Sequence, residues 1–210
     1  MSTVLYIKAS PRRGRSYSVA VADAFVESYR RIHPADEVKT IDIFKAKLPA
    51  FDFAVVGAKY KIMHNEEHSQ TERRLWEKVV SIIEEFKSAD KYVMAVPMWN
   101  FSIPYRLKQY IDILVQPTYT FTVNKDGGYE GLVKDKPMFI AYARGGEYPP
   151  GTAAEAFDLQ KKYLEVILGF IGFSGIRSVV VEPTLAGGAG VAKEKCLAGI
   201  EKAKQMAAEF

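Results

Sequence analysis

Short apolar runs alternate with helical patterns along the whole chain, and this alternation is the strongest constraint on its fold. The runs at 92–96 and 138–143 are apolar throughout, which is typical of strands that helices cover on both faces. Periodicity alone does not separate a short strand from a buried helix, but short length and β-branched or aromatic content favour strands. The predicted strands are Val4–Lys8, Val38–Ile43, Tyr92–Val96, Met138–Ala143 and Ser178–Val181.

Apolar residues at steps of three and four predict a helix after each strand. Five helices are predicted. The second follows the capping-box spacing Ser69–Glu72 and extends through Phe86, and the third begins at Pro104 and ends at about Val115. The other three are Ser18–Ile32, Ala154–Phe170 and Val191–Ala208. This βα alternation predicts an α/β fold with one open parallel five-stranded sheet and helices on both faces. The length of 210 residues fits a single domain over residues 1–210.

Two segments fall outside the alternation. The turn sequence Lys125–Gly128 lies between Tyr119–Val123 and Tyr129, which predicts a small hairpin inserted between the third helix and the fourth strand. Segment 44–68 is predicted to hold irregular or short helical structure at most. Loops of this length are more often functional than idle.

Composition excludes several classes of protein. A single cysteine, Cys196, excludes an intramolecular disulfide and a cysteine-based zinc site. We expect no secretory signal and no membrane contact, because no basic region precedes a long apolar stretch and no apolar run approaches the ~20 residues that span a bilayer. The formal charge of +4 favours anionic small molecules and does not require nucleic acid. We therefore expect a cytoplasmic protein with a small-molecule ligand.

The loop after the first strand has the residues that a phosphate needs. In an open parallel sheet, ligands bind beyond the carboxyl ends of the strands. Hydroxyl groups, guanidinium groups and the start of a helix occur together here, at Ser10, Arg12, Ser16, Tyr17 and Ser18. Unpaired amides and the helix dipole favour negative charge at such a place. The alternative is a solvated basic turn, and the spacing matches neither an ATP-binding P-loop nor GxGxxG.

The loop after the third strand is aromatic and stiffened by proline. It contains Pro97, Met98, Trp99, Asn100 and Phe101. Rigid aromatic groups and exposed amides suit a flat heteroaromatic ring. The alternative is that Trp99 and Phe101 pack in the core at the start of a helix.

The loop after the fourth strand has paired glycines. Gly145 and Gly146 allow the backbone to approach a ligand closely, and Arg144 could stabilise negative charge on a ring edge. The alternative is an ordinary glycine-rich turn. A phosphate at the first loop and a ring between the other two fit flavin mononucleotide (FMN) better than a dinucleotide.

These motifs also carry a resemblance. The sequence Pro-Met-Trp-Asn-Phe-Ser-Ile-Pro from Pro97 to Pro104, together with Ser16–Ser18, Arg144–Gly146 and Leu168–Gly172, resembles the FMN-dependent NADH azoreductases, also described as NADH:quinone oxidoreductases. The resemblance covers essentially the whole chain. It implies a three-layer flavodoxin-like fold with strand order 2-1-3-4-5. It also implies an oxidoreductase that passes two electrons from NADH or NADPH to quinones and azo compounds by a ping-pong cycle.

The same resemblance implies roles for individual residues. The residues expected to bind the phosphate are Ser10, Arg12, Ser16, Tyr17 and Ser18. Those expected to bind the flavin ring are Pro97, Met98, Trp99, Asn100, Phe101, Ala143, Arg144, Gly145 and Gly146. No side chain acts as a catalytic acid or base, and Arg144 is a candidate for electrostatic support. Trp99 and Phe121 are candidates for substrate binding.

The chain departs from the family pattern at two positions, and the resemblance also implies an oligomeric state. The family usually has Ser where this chain has Ala143, so a side-chain hydrogen bond is absent there. Trp99 stands where Tyr is commoner, which widens the aromatic wall. Family members are homodimers with sites near the interface. A homodimer is therefore expected, with segments 44–68 and 119–131 contributing to the substrate pocket.

Two rival functions have weaker support in the sequence. A flavodoxin-type electron carrier would have a Ser/Thr-x-Thr-Gly-x-Thr phosphate loop and an acidic composition, and this chain has neither. A phosphodiester hydrolase needs a metal cluster or a nucleophile with its base. His64 and His68 are four residues apart but have no evident third ligand, so we expect no metal site.

Overall fold

A sheet of five parallel strands forms the centre of the molecule. The computed structural model describes residues 1–210, apart from the side chain of Arg13. The sheet contains β1 (Thr3–Lys8), β2 (Glu37–Asp42), β3 (Lys91–Pro97), β6 (Met138–Ala143) and β7 (Arg177–Val181), in the order β2-β1-β3-β6-β7. The predicted order 2-1-3-4-5 is confirmed, because β4 and β5 pair only with each other, outside this sheet.

Six helices accompany the sheet. They are α1 (Tyr17–Ile32), α2 (Phe53–Met63), α3 (Gln70–Lys87), α4 (Tyr105–Leu114), α5 (Lys161–Ile171) and α6 (Gly188–Ala207). Short 3₁₀ helices cover Arg13–Arg15 and Ala153–Phe157. The predicted α/β fold with helices on both faces is confirmed.

The two faces of the sheet carry separate apolar cores. Helices α1 and α6 cover one face, where Phe25 stacks on Phe139 with ring centroids 4.0 Å apart. Small residues on α6 allow close packing. A Cβ at Gly199 would lie 3.1 Å from Val181. Helices α2 to α5 cover the other face with larger side chains such as Trp76 and Tyr92.

Two segments differ from the sequence predictions. Residues 44–68 contain a helix of 11 residues, α2, because the Asp52 carboxylate accepts hydrogen bonds from the first-turn amides of Ala54 and Val55. The predicted continuous helix Ala154–Phe170 is wrong at its start. It is interrupted between the 3₁₀ helix and α5, where the side chains of Asp158 and Gln160 bind a buried arginine.

The predicted hairpin is present as β4 (Phe121–Val123) and β5 (Tyr129–Gly131). The hairpin packs closely against the end of α5, and a Cβ at Gly131 would lie only 2.3 Å from the backbone of Gly172. Only glycine permits this approach.

Among the described residues, no helix combines the length and apolar character that crossing a bilayer requires.

Candidate functional site

The three predicted ligand loops lie next to one another at one edge of the sheet. Strand register pairs Lys8 with Ala95, and Pro97 with Ala143, so β1, β3 and β6 end side by side. Hydrogen bonds continue this pairing beyond the strands, from Ala9 N–H to the Ala95 carbonyl (2.9 Å) and from Met98 N–H to the Ala143 carbonyl (2.8 Å). The topology therefore places all three loops around one site.

The first loop presents buried hydroxyl groups beneath exposed guanidinium groups. Ser10, Ser16 and Ser18 are buried, whereas Arg12 and Arg15 are exposed. The hydroxyl oxygens of Ser16 and Ser18 lie 3.2 Å apart, and the Arg12 amide donates to Ser10 Oγ over 3.4 Å. The hydroxyls are thus fixed in place, and the cationic groups remain free to reach a ligand.

The start of α1 supplies backbone donors at the same place. Ser16 is the N-cap residue, but its side chain makes no capping hydrogen bond, and the first turn contains no acidic residue. The first backbone bond of the helix runs from Ala20 N–H to the Ser16 carbonyl. The amides of residues 17–19 have no backbone acceptor within the described part of the chain. Because these amides lie at the positive end of the helix dipole, they favour an anion.

The second loop is a tight and strained turn. The backbones of Trp99 and Ser102 exchange two hydrogen bonds, each 2.9 Å long. Between them, Asn100 and Phe101 have φ angles of 46° and 67°. A phenylalanine in the left-handed region is uncommon, and such strain persists only where the surroundings hold it. The amides of residues 100 and 101 have no backbone acceptor among the described residues.

Aromatic rings flank this turn on two sides. The Trp99 ring lies 5.7 Å from that of Phe44 and 6.3 Å from that of Tyr105. The Phe101 ring lies 5.0 Å from that of Phe157 and remains substantially exposed. Neither Trp99 nor Phe101 is buried in the core, so the core-packing alternative for these two residues does not hold.

The third loop turns its carbonyl groups inward. The Arg144 carbonyl accepts from Thr184 N–H and the Gly145 carbonyl accepts from Leu185 N–H. The amides of Gly145 and Gly146 have no backbone acceptor in the part of the chain that the structure describes. This loop therefore presents donors to the edge of the site.

The structure corrects the placement of the Arg144 side chain. Its guanidinium group is only 3% exposed and is paired with carboxylates, 2.9 Å from Asp158 Oδ2 and 3.4 Å from Glu182 Oε2. Its Nε also donates to Gln160 Oε1 at 3.1 Å. The guanidinium charge is compensated within the protein, so the side chain is not available for the electrostatic support that the sequence suggested, and only the backbone of this residue faces the candidate site.

An open groove of about 820 Å³ begins at the aromatic turn and follows α4. Near the aromatic turn, the groove is lined by Trp99, Asn100 and Tyr105. The whole lining comprises Ala50, Phe51, Trp99, Asn100, Ser102, Ile103, Tyr105, Lys108, Gln109, Asp112 and Tyr163. Two residues of segment 44–68, Ala50 and Phe51, lie in this lining.

The far end of the groove is polar. Lys108 Nζ lies 2.5 Å from Asp112 Oδ1. Burial acts to lower the pKa of Lys108, but the hydrogen bond and charge of Asp112 outweigh it, so the pKa is raised. Burial raises the pKa of the Tyr163 hydroxyl. At neutral pH the groove therefore offers an aromatic end and an ion-paired end.

Phe121 is not part of this groove in the single chain. Its ring packs 4.7 Å from that of Phe170 on α5 and 6.0 Å from that of Tyr129. The structure thus brings Trp99 into the groove and leaves Phe121 on the hairpin.

Sequence reasoning missed three residues near the site, Asp158, Gln160 and Glu182. Asp158 and Gln160 are buried, and polar residues at buried positions need partners. A signal was present in the sequence, because two polar residues interrupt the pattern that predicted one helix over 154–170. Their partner was not predictable, since Arg144 lies before that helix.

Comparisons with known proteins identify the family and agree with the fold. The family described as "Flavodoxin-like fold" matches residues 2–206. An FMN-dependent NADH:quinone oxidoreductase of Nitratidesulfovibrio vulgaris (strain DP4) is 55% identical over 210 residues, covering 100% of both chains. One of Desulfotalea psychrophila is 44% identical over 94% of this chain and 92% of its own.

Solved structures show the same similarity. The crystal structure of azoreductase from Bacillus anthracis str. Sterne superposes with a TM-score of 0.91 at 31% identity, covering 100% of both chains. An FMN-dependent NADH-azoreductase from Bacillus anthracis str. Ames Ancestor, in complex with FMN, has a TM-score of 0.90 at 27% identity, covering 99% of this chain and 98% of its own. The chain therefore belongs to the flavodoxin-like family that contains the FMN-dependent NADH:quinone oxidoreductases and the azoreductases.

Proposed function

We propose that the protein is an FMN-dependent oxidoreductase that transfers two electrons from NADH or NADPH to quinones and azo compounds by a ping-pong cycle. One observation carries the proposal: an acid-free helix start with buried serines lies at the same sheet edge as a strained aromatic turn. The names of the relatives support it, since the protein of Nitratidesulfovibrio vulgaris is called an FMN-dependent NADH:quinone oxidoreductase.

The residues present fit FMN. The amides at the start of α1, with the hydroxyls of Ser10, Ser16 and Ser18, would hold the dianionic phosphate. Trp99 and Phe101 would flank the ring, and the unpaired amides of Gly145 and Gly146 would bind its polar edge. These donors are fixed by the fold before any ligand arrives, which lowers the entropy cost of binding.

When bound, FMN would supply the redox chemistry, because its ring accepts a hydride and later releases two electrons. The protein positions the nicotinamide or the acceptor at Trp99, at the aromatic end of the groove. Backbone amides of the third loop stabilise negative charge at the ring edge, since they are preorganised donors. No side chain needs to act as acid or base, because solvent in an open groove can supply the proton to the reduced product.

A shared slot explains the proposed order of events. The groove meets the aromatic turn at Trp99, so the nicotinamide and the acceptor would occupy the same space beside this residue in turn. The acceptor class follows from the same surface. Flat apolar rings such as quinones and aryl azo compounds match Trp99, Phe51 and Tyr105, and the Lys108–Asp112 pair could bind polar substituents.

We also propose that the protein is a homodimer, as expected from the sequence resemblance. Exposed apolar side chains beside the site, including Phe101, Tyr105 and Phe157, support this assembly. A partner could bring its Phe121 to the groove, which the single chain does not do. The cytoplasmic location remains a prediction.

Steady-state kinetics test the proposed function. The protein is reconstituted with FMN and assayed with NADH and NADPH against a panel of quinones and azo dyes, with the FMN-free protein as control. We expect FMN-dependent turnover and parallel lines in double-reciprocal plots at several acceptor concentrations. Intersecting lines would contradict the ping-pong cycle, and absence of FMN-dependent turnover would contradict the function itself.

A further inference from the structure

We propose that residues Asp158–Gln160 form a positioning segment that sets the geometry of the Asn100–Phe101 turn and so controls FMN affinity. The proposal rests on the proposed function in one respect, the identity of FMN as the ligand at this turn. The segment itself lies outside every predicted contact with the ligand.

The segment makes direct bonds to the turn and to the strand before it. Leu159 N–H donates to the Phe101 carbonyl at 3.1 Å. The Gln160 amide group donates through Nε2 to the Val96 carbonyl at 3.0 Å. One end of the 97–101 loop is therefore attached to Leu159, and the residue that precedes its other end is attached to Gln160.

The segment is also attached to the third loop through Arg144. Gln160 Oε1 accepts from Arg144 Nε, and Asp158 Oδ2 lies 2.9 Å from Arg144 Nη2. The other carboxylate oxygen of Asp158 accepts from Lys161 N–H, which fixes it at the start of α5. The loops that follow β3 and β6 are thus held to one segment that leads directly into α5.

Burial shows that this arrangement serves geometry. Asp158, Gln160 and Arg144 are all less than 10% exposed. Buried ion pairs are often no more stabilising than well-packed apolar residues, because desolvation opposes the attraction. A continuous apolar helix through residues 154–170 would avoid that desolvation. What the polar segment provides instead is a fixed direction for its hydrogen-bonding groups.

The turn needs such an anchor. Phe101 has a left-handed φ of 67°, and a strained backbone persists only when its surroundings over-determine it. The two Trp99–Ser102 bonds close the turn but do not fix it relative to the sheet. Leu159 N–H and the packing of Phe157 on Phe101 supply that second set of contacts.

Gln160→Met tests the proposal. Methionine has a similar shape but lacks both hydrogen-bonding groups, so the Val96 carbonyl and Arg144 Nε lose their partner. We expect the FMN dissociation constant, measured by flavin fluorescence titration, to rise about tenfold, which is typical for loss of buried hydrogen-bond partners. The temperature shift that saturating FMN gives in thermal unfolding should shrink correspondingly.

A second variant and a control separate positioning from general destabilisation. Gln160→Glu keeps the acceptor for Arg144 but, when ionised, has no donor for the Val96 carbonyl, so the FMN dissociation constant should rise in it as well. Lys162→Met lies on the same helix and loses only an exposed contact with Glu155, so it should bind FMN like the wild type.

The outcomes are distinct. A wild-type dissociation constant in either folded Gln160 variant overturns the positioning proposal, and so does a lower unfolding temperature with unchanged FMN affinity. If the wild-type protein itself fails to bind FMN, the proposed function is refuted instead.

Discussion

At the scale of single residues, backbone amides supply most of the hydrogen-bond donors of the candidate site. The first turn of α1, the 99–102 turn and the paired glycines all present amides that have no backbone acceptor among the described residues. Side chains add the buried serine hydroxyls and the aromatic faces of Trp99 and Phe101. Arg144 illustrates the difference, because its backbone belongs to the site while its guanidinium group is buried in ion pairs.

Ala143→Ser is the prediction that belongs to this scale. Ala143 ends β6 beside the loop that would bind the ring, and its side chain is buried next to the residues that pack against α1 and α6. A hydroxyl there adds one hydrogen bond, and we expect FMN to bind roughly three- to tenfold more tightly. Fluorescence titration measures the change. Ala198→Ser on the exposed face of α6 is the control, and equal affinities in all three proteins would contradict the prediction.

Helix starts explain most of what differs between prediction and structure at the scale of elements. Segment 44–68 had little helical pattern, yet Asp52 caps an 11-residue helix there. The capping box predicted at Ser69–Glu72 is present, since Ser69 Oγ accepts from Glu72 N–H and Glu72 Oε2 accepts from Ser69 N–H. Glu72 also joins the two helices, because its Oε1 lies 2.7 Å from Lys61 Nζ on α2.

The contribution of Glu72 to the stability of the protein should depend on pH, and Glu72→Gln tests this. The hydrogen bond from Lys61, followed by those from Ser69, lowers the pKa of the Glu72 carboxyl from the usual 4.5 to about 2. A lowered carboxyl pKa contributes stability that is fully present above the unfolded pKa and is lost as pH falls through the folded one. Wild type should therefore unfold at a higher temperature than Glu72→Gln above about pH 4.5, and the difference should vanish toward about pH 2.

Calorimetric scans of both proteins across that range measure the difference. Glu77→Gln is the matched control, since it removes an exposed pair with Arg73 on the same helix, and such pairs contribute little. A difference between wild type and Glu72→Gln that stayed constant from neutral pH to about pH 2 would contradict the assignment.

At the scale of the whole molecule, the surface beside the groove carries exposed aromatic side chains. Tyr105 lines the groove and is largely exposed, and the exposed ring of Phe101, in the 99–102 turn, lies 5.0 Å from that of Phe157. Exposed apolar groups close together mark interaction surfaces more often than isolated ones do. On the opposite face of the sheet, α6 carries a mainly charged exterior.

The proposed homodimer gives the prediction at this scale. Sedimentation at micromolar concentration should give twice the 23.6 kDa of one chain, and 1 M salt should not dissociate it, because an apolar interface is not screened. Tyr105→Glu should weaken the dimer at least tenfold, since it would bury a charge. Leu197→Glu, on the exposed side of α6, should leave it intact. A wild-type monomer would refute the assembly.

Local pattern determined much of this protein. Apolar runs, three- to four-residue steps and turn sequences depend only on neighbours along the chain, so the runs and steps predicted the strands and most helices, and the turn at Lys125–Gly128 predicted the inserted hairpin. The sequence could also place the loops that follow β1, β3 and β6 together as one candidate site, because parallel strands have their carboxyl ends on one edge of the sheet.

Tertiary structure alone decided how those loops are held. Arg144 meets Asp158 and Glu182, 14 and 38 residues further along, and Gln160 meets Val96, 64 residues earlier. Which buried charge finds which partner depends on the packing of strands and helices against one another, and no local periodicity encodes that. The same packing broke the predicted helix at 158–160, since pairing a buried guanidinium outweighs the intrinsic preference of three residues for continued helix.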